Sequence, residues 1–353
     1  MIHIRRGTVV EARATGSGRT DLVVDVGGAR ERAIAYDTVT GPIEAGDVVV
    51  LNTTAVELGL GTGGLHIVMA VEGCEQPGPV TGHAMKLRYT PVQTAVDAVE
   101  QTHADALDAV TTLNGLPVIA AGLHSALAPA VIGARAVDPS LRIAYVMTDG
   151  GALLISFSDT VPALRAAGLL DTTITAGQAT GGELEAISLY GGLAAATAIA
   201  RADLVVVAMG PGNLGSASRL GFASIEVAAI VNAVAAMEGT PIVVPRISFA
   251  DARERHRGLS HHTITALSLA LAGAHVTLPL LSPEHAAEVA AGLDLIRDRH
   301  KIVEVDLGRA EATLKDAPVP LRSMGRRFDD DPDFFRAAAA AGAHAAEIAR
   351  ARR

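Results

Sequence analysis

From Pro117 onward the chain repeats one pattern. A short apolar run is followed by a cluster of glycine and polar residues, and then by a longer amphipathic or alanine-rich segment. That rhythm is strand, loop, helix. The runs are Pro117 to Ala121, Arg142 to Met147, Thr172 to Ala176, Asp203 to Met209 and Pro241 to Val244, with two more at His275 to Leu278 and Lys301 to Val305. Runs this continuously apolar belong to a sheet buried on both faces, hence a mostly parallel, Rossmann-like sheet flanked by helices. Ser282-Pro283-Glu284 opens a helix between the last two strands, and Asp330-Asp331-Pro332 caps an alanine-rich helix reaching about Arg350.

The first 70 residues read differently. Gly7 to Arg13, Asp21 to Val26, Arg30 to Tyr36 and Val48 to Leu51 are strand-like, and Gly27-Gly28 is a hairpin turn. A small antiparallel β-barrel is expected. The predicted organisation is a barrel domain over 1-71, a linker over 72-82 rich in Gly, Pro, Glu and Gln, and an α/β domain over 83-353. Thr90-Pro91-Val92-Gln93 has capping-box chemistry and predicts a helix to about His103.

Composition narrows the function class. Among 353 residues, 49% are hydrophobic but only 3% aromatic, and none is Trp, so Ala, Val, Leu and Ile build the core and no stacking platform for bases is visible. The formal charge of −9 argues against general nucleic-acid binding, which needs many phosphate contacts from Lys and Arg. A lone cysteine, Cys74, excludes an intrachain disulfide, and the N-terminus lacks secretory-signal chemistry, so a cytoplasmic protein is expected. The apolar stretch Ala266 to Leu281 is broken by Gly273, His275, Thr277 and Pro279, which fits a buried helix and strand and no membrane partner. The alanine-rich helices suggest faces buried between subunits, hence a homo-oligomer.

Nearly every unusual polar cluster follows a predicted strand, and in a parallel sheet all such loops open at the carboxyl edge, where α/β proteins bind ligands. Gly122-Leu123-His124-Ser125 follows the first strand, Thr148-Asp149-Gly150-Gly151 the second, and Gly177 through Glu183 the third. Gly210-Pro211-Gly212-Asn213-Leu214-Gly215 follows the fourth and matches G-x-G-x-x-G, yet no ribose-binding acid ends the next strand. An anion-cradling loop using Gly210, Gly212, Asn213 and Gly215 is the expectation, not a standard dinucleotide site.

The fifth loop is the densest. In residues 251–262, Ser260 is placed to cap a helix running through Leu271, with His261 and His262 in its first turn, where the helix end disfavours imidazolium. Arg253, Arg255 and Arg257 alternate at strand-like spacing, and Arg253 and Arg255 are candidate anion ligands. The candidate catalytic set is Asp149, Glu183, Asp251, His256, His261 and His262, and the candidate metal ligands are His124, Asp149, His261 and His262, a donor mix suited to a divalent transition metal. The basic stretches 86–89 and 322–327 are secondary candidates for anion binding, against acid-paired surface as the plainer reading.

Gly177-Gln178-Ala179 with Gly181-Gly182-Glu183, Met209-Gly210-Pro211-Gly212, and the run from Arg253 to Thr263 resemble the bacterial family catalogued as domain of unknown function 3866, as do Leu58 to Gly64, His124-Ser125 and Thr148 to Gly151. The resemblance implies no activity, substrate or cofactor. From the residues, the leading expectation is an enzyme acting on a small anionic, phosphate-bearing metabolite, in its most concrete form a metal-assisted hydrolase or transferase. The alternatives are a non-catalytic nucleotide or anion sensor and, third, nucleic-acid binding through the barrel.

Overall fold

The computed structural model describes residues 2–61, 63–75 and 81–353. It forms two compact units, Met1–Thr81 with Leu87–Thr94, and Gly82–Lys86 with Ala95–Arg353. Residues 76–80 of the expected linker lie outside the described residues.

In the first unit β1 (Ile4–Ala14), β2 (Arg19–Val26), β3 (Ala29–Tyr36), β4 (Val48–Asn52) and β5 (His66–Val71) close a barrel in the order β1-β2-β3-β5-β4. Period-two alternation sends Leu22, Val24 and Val26 inward to meet Val9, Ala33, Val49, Leu51 and Val68. Gly27 and Gly28, at φ 66° and 91°, make the two-residue turn their sequence predicts. The barrel is antiparallel except where β3 runs parallel to β5, a Greek-key closure of the OB type.

The second unit is built on eight parallel strands: β6 (Pro117–Ala121), β7 (Ile143–Thr148), β8 (Thr172–Thr175), β9 (Leu184–Glu185), β10 (Leu204–Met209), β11 (Thr240–Val244), β12 (His275–Pro279) and β13 (Lys301–Val305). Their order is β9-β8-β7-β10-β6-β11-β12-β13. Every residue of β6, β7 and β10 is buried. Alternate residues feed two cores. Val118, Val146 and Val207 pack with α3 (Leu189–Ala198), α4 (Val227–Ala236) and α5 (His261–Leu269). Ile119, Tyr145 and Val206 pack instead with α1 (Leu127–Val137), α2 (Thr160–Ala166) and the C-terminal helix Pro332–Arg352. The chain therefore leaves β6 toward one face and β10 and β11 toward the other, which opens a crevice at their carboxyl ends.

One expectation is corrected here. The Thr90 cap does not start a long helix: Thr94–Val96 is a strand paired with Ala84–Lys86, and short helices follow at Val99–Thr102 and Ala104–Asp108. Burial of Val96 and Lys86 outweighs a local capping preference. The alanine-rich face of Pro332–Arg352 is covered within the chain, since Ala337 through Ala341 are buried and a Cβ on Gly342 would overlap the Ala130 carbonyl of α1. Small residues are there to let two backbones approach. Gly342→Val should destabilise by about 2–4 kcal/mol, against about 1 kcal/mol for Gly28→Ala in its exposed turn. Denaturant unfolding of both variants checks this, and equal losses would contradict the close helix contact.

Candidate functional site

After β11 the chain forms a loop pinched at its base. Ile247–Ser248 pairs antiparallel with Gly258–Leu259, and Ser260 N–H donates to the Arg246 carbonyl at 2.9 Å. Ser260 caps α5 as its sequence predicts, its Oγ accepting from His262 N–H at 3.2 Å. The same Oγ lies 2.7 Å from His256 Nδ1. A hydroxyl oxygen accepting from both leaves His256 Nε2 as the bare nitrogen, in keeping with Arg255 Nε 3.5 Å away on the donor side. His262 stacks on Phe222 at 3.8 Å between centroids, with Nδ1 3.4 Å from Ser224 Oγ. His261 Nε2 is buried without a partner among the described residues.

His256, His261 and His262 thus converge, with one candidate ligand nitrogen from each lying within 4.8 Å of the others. Among the described residues this is the group of three that suits a metal ion. Burial, reinforced by Arg246 and neighbouring charges, lowers the pKa of His256 and of His262 to about 3 and also depresses His261. All three rings are neutral at pH 7, the state that ligates metal.

Beside them Asp251 organises the arginines. Arg253 holds it with a fork, Nε to Oδ1 at 2.9 Å and Nη2 to Oδ2 at 2.8 Å, while Arg246 Nη2 reaches Oδ2 at 3.1 Å. The Arg253 hydrogen bonds, with Arg246 nearby, hold the Asp251 carboxyl well below the usual carboxylate range. Arg326 comes from a separate hairpin, Arg322–Ser323 with Arg326–Arg327, turned by Met324 and Gly325 at φ 48° and 81°. Its Nη2 is 3.7 Å from Asp251 Oδ2 and its Nε 2.9 Å from Asp331 Oδ2. Ser125 Oγ meets Ser323 Oγ at 3.0 Å and ties this hairpin to the loop after β6. Gly122, Ser224, Arg246 and His262 line the crevice.

The remaining candidates are placed elsewhere. His124 is buried between Tyr145 Oη at 3.1 Å and Ser158 Oγ at 2.7 Å, and burial lowers its pKa to about 4. Asp149 accepts from Gln178 N–H at 2.9 Å, and a Cβ on Gly177 would overlap its carboxylate. Neither belongs to the histidine group. Glu183 binds Arg165 and Thr173 N–H near the β8–β9 end of the sheet. Gly210 presses on the Ala152 carbonyl, Gly212 takes φ 99°, Asn213 Oδ1 accepts from Ser224 N–H at 3.1 Å, and Gly215 bridges to Phe222. This loop folds onto the Phe222–Ser224 segment that flanks His262. Lys86 is buried on Glu185, 2.7 Å away.

The strand-like alternation of Arg253, Arg255 and Arg257 is corrected: Glu254–His256 is a one-turn 3-10 helix, and Arg257 turns outward to the Phe249 carbonyl and Glu288. Helix α5 also stops at Leu269, two residues short of expectation. A second depression, around Ser268, Arg299 and His300, has its polar groups engaged: Arg299 donates to the Ser268 and Ala270 carbonyls, and His300 bridges Ala274 N–H and the Leu267 carbonyl.

Glu226 went unnoticed in sequence. Thr148 Oγ1 donates to its Oε1 at 2.8 Å, and a Cβ on Gly150 would sit 2.9 Å from Oε2, so the glycine makes room for the carboxyl. Burial, with Asp149 close by, raises its pKa to about 7 against the pull of the Thr148 hydrogen bond. A raised carboxyl pKa means the native state binds the proton more tightly, so stability present below about pH 4.5 is lost as pH rises through 7. Glu226→Gln should therefore gain on the parent protein between pH 5 and pH 8.5 by on the order of 2–3 kcal/mol. Paired thermal melts read this, and a pH-independent difference would refute it.

No curated protein matches the chain. Among solved structures, a crystal structure of D-arabinose dehydrogenase from Sulfolobus solfataricus aligns over 90% of both chains at 10% identity with a TM-score of 0.16, too poor a superposition to carry an argument. No helix among the described residues is long and apolar enough to cross a membrane. The sequence profile of the family described as "Protein of unknown function (DUF3866)" matches residues 32–342, nearly the whole chain, and the protein belongs to that family.

Proposed function

We propose that the protein is a metal-assisted hydrolase or transferase acting on a small anionic, phosphate-bearing metabolite bound in the crevice after β6, β10 and β11. The observation behind this reading is the meeting of His256, His261 and His262, neutral and mutually within ligand reach, at the carboxyl edge of the sheet. Three imidazoles with an open fourth position are a donor set of catalytic zinc, and other imidazole-binding transition metals share it. The ion would supply Lewis acidity and an activated water.

The chain's own residues supply the rest. Ser260 orients His256, Phe222 and Ser224 hold the His262 ring, and the arginines around Asp251 set a positive field for the anion. Glu226, on the 3-10 turn Ala223–Glu226 that also bears Ser224, is a group able to hold or release a proton near neutral pH.

The test is metal content by elemental mass spectrometry on tag-free protein purified without chelator. Near-stoichiometric metal is expected in the parent protein, and His261→Ala/His262→Ala should lose at least about tenfold in occupancy. Metal-free parent protein that also takes up no added zinc would reject the metal-assisted reading. Prolonged incubation with phosphate esters and mass analysis separates turnover from mere sensing, for a sensor is stabilised by its ligand without consuming it.

A further inference from the structure

We infer that Arg246 and Arg326 form a subsite for the terminal phosphoryl dianion of a phosphomonoester, on the arginine side of the histidine group. This rests on the reading of the crevice as a metabolite site, but not on the presence of a metal.

Two observations support it. The first is unused donor capacity. Arg246 has a side chain only 8% exposed, and its Nε has no acceptor among the described residues; Arg326 Nη2 is likewise buried with none among them, its distance to Asp251 being 3.7 Å. A buried guanidinium N–H without a partner costs roughly 1–3 kcal/mol, so its retention calls for an acceptor that is not part of the protein. Asp251 cannot serve, because its two oxygens already take Arg253 and Arg246. Two such donors on different chain segments match the several oxygens of one phosphoryl group, the geometry at which guanidinium excels.

The second observation is charge. Among the described residues Arg246, Arg253 and Arg326 are paired with only Asp251 and Asp331, and Arg255 adds its field at His261 and His262. Three guanidiniums bearing on two carboxylates leave an excess of positive charge that a bound anion balances. Arg246 itself lines the crevice with His262, so an anion held there lies beside the histidines. The arginines are also preorganised: Asp251 fixes Arg246 and Arg253, and Asp331 holds Arg326.

Inorganic phosphate titrated calorimetrically into chelator-treated full-length protein at low ionic strength tests the inference. The parent protein should bind phosphate, and acetate at least about tenfold more weakly. Arg326→Gln and Arg246→Lys, the latter keeping the charge but removing Nε, should each weaken phosphate by about tenfold or more. Absence of phosphate binding to the parent, unchanged binding in both arginine variants, or acetate binding as tightly as phosphate would each overturn the subsite. Phosphate binding by a protein that takes up no metal would leave the subsite standing while the metal-assisted reading falls.

Discussion

Burial of the parallel sheet on both faces is the constraint from which the rest follows. With β6, β7 and β10 wholly inside, neither face of the central sheet offers a place for polar chemistry. Backbone groups within the sheet satisfy one another, and a charged side chain on either face would pay full desolvation. Polar residues are therefore displaced to the strand ends. Because successive crossovers from β6 and from β10 and β11 go to opposite faces, the carboxyl ends part and leave a crevice, and the loop of residues 246–262 runs along it. The same need for close layers explains the glycines: Gly133 and Gly342 bring α1 and the C-terminal helix into backbone contact.

Beside the crevice one carboxylate keeps several cations in place. Asp251 is nearly inaccessible yet ionised, held so by Arg253 and Arg246. Its presence makes a cluster of buried guanidiniums tolerable, and that cluster in turn helps burial to keep His256, His261 and His262 neutral. Burial and positive potential act in the same direction, each disfavouring a further positive charge on imidazole. Glu226 shows the complementary effect, where burial, with Asp149 close by, leaves a carboxyl protonated up to near neutral pH.

Much of this was legible in the chain. The strand–loop–helix rhythm located seven of the eight sheet strands to within a residue or two, because continuous apolar runs have few alternatives to a two-sided sheet; the two-residue edge strand Leu184–Glu185 has no such run. Ser260 as a cap with His261 and His262 behind it was legible because capping is local. The failures have local causes too. Thr90 and Pro91 have good helix-start chemistry, but pairing of Thr94–Val96 with Ala84–Lys86 overrides it. The β5 strand escaped notice as a separate element because its pairing with β3, parallel and distant in sequence, has no turn to announce it.

What the sequence by itself determined is the class of fold, the edge on which the polar loops lie, and the dense segment from Asp251 to His262. Those depend on periodicity and on chemistry between near neighbours. The tertiary structure decided which polar residues meet. It brought His256 to His261 and His262, added Arg246 and Arg326 to Asp251, and set Glu226 against Thr148 and Gly150. It engaged His124 with Tyr145 and Ser158, and Asp149 with Gln178. Arg326 and Asp251 are 75 residues apart, and no local propensity records that distance closing. Strand order and the choice of face at each crossover close it, and they are set by the packing of the whole domain.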